Sequence, residues 1–315
     1  MSVIDKILQN KTAAFSFELL PPLKGNSIDS VYNTIDTLLE FDPKYINITT
    51  HRSEMVYHEL PSGLFECIAE RHRPGTVAIA AAIQNKYKIP VVPHVLCSGF
   101  TESETEYVLM DLQFLGIQDV LLLRGDKAKN DKAFIPTGHA HATDLQKQVN
   151  AFNEGIFIDG SRMKKLPTSF SYGMACYPEK HEEAPNLASD IHWAKQKVDA
   201  GASYLVTQMF FDNQKYFDFV DECRAAGINV PIIPGLKPIT FMSQLTALPK
   251  IFHVDLPEAF SNELAKCKTD AESVEVGIEW CALQAKGLME KGVQSLHFYS
   301  MMATQSVRRV AEKVY

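Results

Sequence analysis

Six cysteines are scattered through the chain (Cys67, Cys97, Cys176, Cys223, Cys267 and Cys281), and no two form a C-x-x-C pair. That spacing offers no zinc cluster and no disulfide framework, so a reduced, cytoplasmic setting is expected and no metal is assigned. Long apolar runs are also missing. MSVIDKILQNKTAAF lacks the apolar core of a secretion signal, and no segment approaches the length of a membrane span, so no membrane partner is expected. Clustered positive charge is absent too. A net charge of −7 argues against a nucleic-acid surface, which needs gathered Lys and Arg, but leaves room for an anionic small molecule in a local positive pocket. No repeat, linker or low-complexity stretch divides the 315 residues, so one domain over 1–315 is expected. Its 46% hydrophobic content is enough to bury a sizeable core.

What is present is an alternation of short β-branched runs and longer helical stretches. The runs are Ala13–Leu20, Tyr45–Thr50, Ile89–Cys97, Asp119–Arg124, Phe170–Tyr177, Tyr204–Phe211, Val230–Pro234 and Ser295–Ser300. Between them, helical period predicts helices that include 63–69, 76–85, 143–152, 188–200 and 214–226, and much of 241–291. Thr101 with Glu104 forms a capping box, while Gly201 and Gly227 stand as helix stops. Runs such as VLLLRG and VPIIPG are apolar throughout, as strands covered on both faces should be. Eight strands separated by helices predict an α/β fold, either a (β/α)8 TIM barrel or a doubly wound sheet. The barrel is favoured, because the first strand is followed by FELLPPLKG and not by G-x-G-x-x-G. The long connection NEGIFIDGSRMKKLPTS is expected to make a surface excursion, with a hairpin around Asp159-Gly160.

Barrel enzymes keep their chemistry at the C-terminal ends of the strands. Polar residues fall there in this chain: Glu18; Thr49, Thr50 and His51; His94 and Cys97; Arg124-Gly125-Asp126; Tyr177, Glu179 and His181; Gln208; and His297 with Tyr299. Each has a plainer explanation. Glu18 could pair with Arg124, Gln208 could be a hydrogen-bonded core amide, and Asp190 and Lys197, seven apart on one helix face, could be solvated charges. His94 and Cys97 lack a second closely spaced ligand pair for a metal. The Arg-Gly-Asp triplet follows a buried LLL and does not support an adhesion role.

In order along the chain, FSFELLPP, PHVLC, LLLRGD, ACYPEKHEEAPN, KVDAGASYLVTQMFFD, IIPGLKPI and HFYSM resemble the methylenetetrahydrofolate reductase family, from Phe15 to Tyr299. The resemblance implies a (β/α)8 flavoenzyme of folate one-carbon metabolism, serving methionine biosynthesis. Its reaction passes a hydride from NADH or NADPH to FAD and then to 5,10-methylenetetrahydrofolate, by a ping-pong scheme. It implies Glu18 as general acid, Asp126 as the carboxylate that serves pterin and flavin, and Gln208 and Gln244 as substrate-binding amides. For FAD it implies Thr49, His94, Arg124, Gly125, Asp126, His141, Ala142, Tyr177, His181, Asp190 and Lys197. His141 stands where many relatives carry an aromatic Tyr.

Two positions depart from the family pattern. An Arg expected to contact the folate tail is replaced near Ala303, with Arg308 or Arg309 as candidate substitutes, and Leu248 occupies the place of a ring-sandwiching aromatic residue. Because the chain ends with the barrel, control by S-adenosylmethionine through a C-terminal region is not expected. Two other functions stay open: an FAD-dependent barrel oxidoreductase of the proline dehydrogenase type, and a non-catalytic barrel subunit. The oligomeric state is also open, a homo-oligomer included, and some relatives take their electrons from a partner protein.

Overall fold

A computed structural model of the chain describes residues 2–10, 12–126, 134–166, 168–301 and 303–315. Its strands are β1 (Ala14–Leu19), β2 (Tyr45–Ile48), β3 (Glu54–Glu59), β4 (Phe65–Glu70), β5 (Val91–Leu96), β6 (Asp119–Leu123), β7 (Ser171–Cys176), β8 (Tyr204–Met209), β9 (Ile232–Leu236) and β10 (Ser295–Tyr299). The helices are α1 (Val3–Gln9), α2 (Asp29–Leu38), α3 (Thr76–Tyr87), α4 (Glu102–Phe114), α5 (Ala142–Asn153), α6 (Leu187–Asp199), α7 (Asn213–Ala225), α8 (Gln244–Phe252), α9 (Glu258–Lys266), α10 (Asp270–Glu290) and α11 (Thr304–Val314). Eight strands close in the order β1-β10-β9-β8-β7-β6-β5-β2, a (β/α)8 barrel. All eight expected strands are present; seven are trimmed by one or two residues at an end, and the seventh, expected over Val230–Pro234, lies two residues later as β9.

The chain divides into two compact units, residues 1–19, 33–47 and 171–315 in the first and 20–32 and 48–170 in the second. In the first unit β1 is buried along its whole length, so alternation sorts its side chains by face. Phe15 packs on Phe17, Phe41, Phe298 and Tyr315, with ring centroids 5.4–5.8 Å apart. Ser16 and Glu18 therefore point to the opposite face. Ser16 confirms this placement, since its hydroxyl meets Nδ1 of the buried His297 at 3.0 Å. The Thr101–Glu104 capping box forms as expected, and Gly201 (φ 114°) and Gly227 (φ 80°) follow the ends of α6 and α7. Helix α1 was not anticipated, although Ser2 and Asp5 cap it at S-x-x-D spacing.

In the second unit the predicted helix over 63–69 is not found. Phe65–Glu70 is instead β4, paired antiparallel with β3. Pro61-Ser62-Gly63 explains the difference: Gly63 takes φ 77° and the Leu60 N–H bonds the Leu64 carbonyl, a turn that returns the chain on itself. Leu64 and Ile68 match helical spacing, but both stay exposed, so no packing rewards a helix. Cys67 lies on this hairpin and is exposed, whereas the other five cysteines are buried and unpaired. The hairpin expected near Asp159-Gly160 is present, with Ile156 bridged to Arg162 and Gly160 at φ 80°. Among the described residues, no helix is long and apolar enough to cross a membrane.

One close approach fixes the chain beyond β9. A Cβ on Gly277 of α10 would lie 2.1 Å from the Ile239 carbonyl oxygen, so only glycine lets α10 reach that backbone. Gly277→Ala gains about 1 kcal/mol of helix propensity. It must also displace a backbone segment, at a cost of about 1–3 kcal/mol. A lowered urea midpoint with unchanged slope is expected; an equal or raised midpoint would show that the segment yields freely.

Candidate active site

In the first unit, Glu18 ends β1 with only 7% of its surface exposed. Burial lifts its carboxyl from the usual 4.5 to about 7, and the charge of Lys237 pulls in the opposite direction. Lys237 is not among the residues that the sequence singles out. It follows β9 directly, and its charge acts on Glu18.

Gln208 sits at an irregularity in β8. Val206 pairs with Ile233 and Met209 with Gly235, so Thr207 and Gln208 together oppose one residue of β9. Bulges of this kind re-aim side chains. Here Thr207 accepts the Gly235 N–H through Oγ1 and the Tyr299 hydroxyl proton through its carbonyl, 2.9 and 2.6 Å. The Gln208 Oε1 accepts the Met209 N–H, which orients the amide.

Beyond β7, Tyr177 and His181 meet edge to face, with ring centroids 4.7 Å apart. Between them Lys180 takes φ 109°, a costly conformation for a side-chain-bearing residue, which the surrounding bonds must maintain. Its ammonium donates to the Ala184 carbonyl, and the His181 N–H donates to Asp190 Oδ2 at 2.7 Å. Glu179 faces Lys215 at 3.0 Å and accepts the Asp255 N–H. Lys197 reaches back from α6 to the Ala175 carbonyl, 2.8 Å. Asp190 and Lys197 are thus tied to the end of β7 and its loop, and are not simply solvated charges.

Three further places in this unit are engaged by contacts that the sequence does not show. Gln244 accepts the Thr240 and Phe241 N–H groups through Oε1, so it shapes the loop before α8. Leu248 is packed into an apolar cluster with Met209, Phe211, Ile239 and Phe260, which leaves no ring-stacking surface there. Arg308 pairs with Glu40 and Glu312, and Arg309 grips both oxygens of Glu275, all on the exposed surface.

In the second unit, Thr49 leaves β2 with its hydroxyl 3.3 Å from His51 Nε2, and Thr50 donates to the carbonyl of the buried His94. Burial and the charge of Arg73 lower the His51 pKa, while Glu54 and Asp126 oppose them. Ser98, absent from the sequence-based set, joins the ends of β5 and β6: its N–H bonds the Arg124 carbonyl and its hydroxyl the Asp126 carbonyl, 2.9 and 2.8 Å. Gly125 must be glycine, since it takes φ 78° and a Cβ would stand 2.9 Å from Ser98 Cβ. This leaves the Asp126 side chain exposed. His141 caps α5 at Ala142, its N–H bonded to Asp144. Burial pushes the Cys97 thiol up to about 12, which disfavours a thiolate ligand. Among the described residues, no group of three His, Cys, Asp or Glu side chains could hold a metal.

The class defined here is a (β/α)8 barrel with titratable side chains at its strand ends, one of them a buried acid. Within that class the chain belongs to the methylenetetrahydrofolate reductase family, whose pattern it matches over residues 3–315. The 5,10-methylenetetrahydrofolate reductase of Escherichia coli is 30% identical over 291 residues, covering 91% of this chain and 85% of that protein. Methylenetetrahydrofolate reductase (NADH) 1 of Arabidopsis thaliana is 29% identical over 321 residues, covering 97% of this chain and 49% of its own length. The chain thus spans about half the length of this relative, and likewise of the Schizosaccharomyces pombe reductase 1, which is 28% identical. A solved Clostridium thermocellum structure, described as binding two copies of 5-methyl-5,6,7,8-tetrahydrofolic acid, superposes with TM-score 0.57 at 16% identity over 99% of both chains, a likeness of fold.

The Glu18 carboxyl makes stability depend on pH. Between pH 4.5 and about 7 the unfolded chain releases this proton while the folded chain keeps it, so stability falls as pH rises. The loss amounts to about 3 kcal/mol. Urea unfolding of the wild type and Glu18→Gln at pH 5 and pH 8 should show the variant gaining on the wild type by that order. A constant difference would place the Glu18 pKa near its ordinary value.

Proposed function

We propose that the chain catalyses FAD-dependent reduction of 5,10-methylenetetrahydrofolate to 5-methyltetrahydrofolate, with NADH or NADPH as reductant. The observation that carries this reading is Glu18, a carboxyl group buried until about half of it is protonated at neutral pH. Opening the methylene bridge needs a proton on the departing nitrogen, and an acid titrating near the working pH delivers one efficiently. Family membership supports the same reading.

The donor set suits FAD. In the first unit, Lys197 offers a cation for a pyrophosphate, Asp190 a carboxylate for ribose hydroxyls, and the Tyr177–His181 pair a firm aromatic edge. In the second, Thr49, His94, Arg124, Gly125, Asp126, His141 and Ala142 are the residues that would contact the cofactor. When bound there, FAD would supply the redox chemistry, hydride transfer between the nicotinamide and folate.

The protein's own residues handle binding and the proton. Gln208, aimed by the bulge in β8, offers the pterin both donors and an acceptor without adding charge. Asp126 is assigned to pterin binding, and its negative charge favours the iminium cation formed when the bridge opens. Gln244 contributes by shaping the substrate loop, since its carbonyl oxygen is taken by Thr240 and Phe241. Folate and nicotinamide use the site in turn.

Glu18→Gln should leave flavin reduction by the nicotinamide within a few-fold of wild type while slowing folate-driven reoxidation by about 10²–10⁴-fold. Equal reoxidation rates would remove Glu18 from the acid role. Lys197→Ala should weaken FAD retention by about tenfold, the worth of one charge-assisted bond. Unchanged affinity, measured by flavin fluorescence on dilution, would confine Lys197 to its Ala175 bond.

A further inference from the structure

Lys237 is as buried as Glu18, at 7% exposure, and among the described residues it makes no hydrogen bond and no ion pair within 4.0 Å. An ammonium held in this way is costly unless a nearby charge offsets it. Strand register supplies the neighbour. Glu18 of β1 stands opposite Tyr299 of β10, and Phe298 of β10 stands opposite Leu236, the last residue of β9. One step on, Lys237 falls level with Tyr299, so Glu18, Tyr299 and Lys237 form one row across three adjacent strands, on one face. Tyr299 gives its hydroxyl proton to the Thr207 carbonyl, which leaves Lys237 as the positive group of the row.

We propose that Lys237 is a positioning residue for proton delivery, its ammonium stabilising the carboxylate that Glu18 becomes once its proton has left. The inference rests on the acid role of Glu18 proposed above. In that step the Glu18 O–H bond and one C–N bond of the methylene bridge break. The C–N electron pair stays on the departing nitrogen, which takes the proton. A bare carboxylate remains in a buried place, Lys237 keeps all its protons, and solvent later restores the one on Glu18. Of the groups that act on this row among the described residues, His297 is kept neutral by burial, which lowers its pKa to about 3. Burial pushes the Tyr299 and Tyr45 hydroxyls and the Cys176 thiol upward, and the thiol of Cys281, on α10 beside Lys237, up to about 12. Burial lowers the Lys237 pKa and Glu18 raises it back, so the influence is mutual.

The test measures reoxidation of the reduced, FAD-loaded enzyme by methylenetetrahydrofolate between pH 6 and 9.5, in wild type, Lys237→Met, Lys237→Gln and Lys237→Arg. Wild-type rates should fall above a midpoint near 7. Both neutral variants should move that midpoint up by about one pH unit or more, and lower the plateau rate by about tenfold because Glu18 becomes a weaker acid. The Arg variant should keep the wild-type midpoint. An unmoved or lowered midpoint in the neutral variants would overturn the proposal, as would their failure to fold, which would make Lys237 structural. Infrared titration of the Glu18 carboxyl band, with Glu18→Gln as blank, separates this proposal from the activity. A wild type inert toward folate would defeat the reaction assignment, yet the band should still persist to higher pH in Lys237→Met. A band that titrates at the wild-type pH would defeat the Lys237 inference alone.

Discussion

Burying a carboxyl group on β1 is the constraint around which the first unit is arranged. Alternation along AFSFEL sends Phe15 and Phe17 to one face, where Phe298 and Tyr315 cover them, and leaves Ser16 and Glu18 on the other. Two residues further along than Ser16, Glu18 is too deep to be well hydrated as an anion, and its proton is retained to about pH 7. Strand register then brings Tyr299 and Lys237 level with it, and the bulge in β8 ties Thr207 to Tyr299 and aims Gln208. An acid, a cation and an amide are thereby set by strand pairing, which holds geometry more firmly than loops do.

The second unit solves a different problem, that of ending strands in tight turns. Ser98 takes up backbone groups at the end of β6, and Gly125 supplies the conformation that no larger residue could adopt beside it. The consequence is an exposed Asp126 carboxylate, chemically opposite to the buried carboxyl of Glu18.

Much of this was legible from residue order, for identifiable reasons. Strands covered on both faces leave continuous apolar runs, and polar residues that interrupt such runs at their ends stand out, as Glu18, Gln208 and Asp126 do. Residues 63–69 fit helical spacing through Leu64 and Ile68, but the Pro-Ser-Gly turn before Leu64 folds them back as β4 against β3. Lys237 and Ser98 matter through register and turn geometry, which no local pattern encodes. Arg308 and Arg309 show the same limit, since their ion-pair partners Glu40 and Glu275 are distant in sequence. The charge in IIPGLKPI was nonetheless a signal, being a lone lysine at the end of an apolar strand.

The most direct measurement is anaerobic. The purified protein is loaded with FAD, the flavin is reduced with NADH or NADPH, and methylenetetrahydrofolate is then added while flavin absorbance is followed. Bleaching by a nicotinamide, followed by recovery of the yellow form with stoichiometric 5-methyltetrahydrofolate, is the predicted result. A protein that binds no FAD, or whose reduced flavin stays bleached when folate is added, would contradict it.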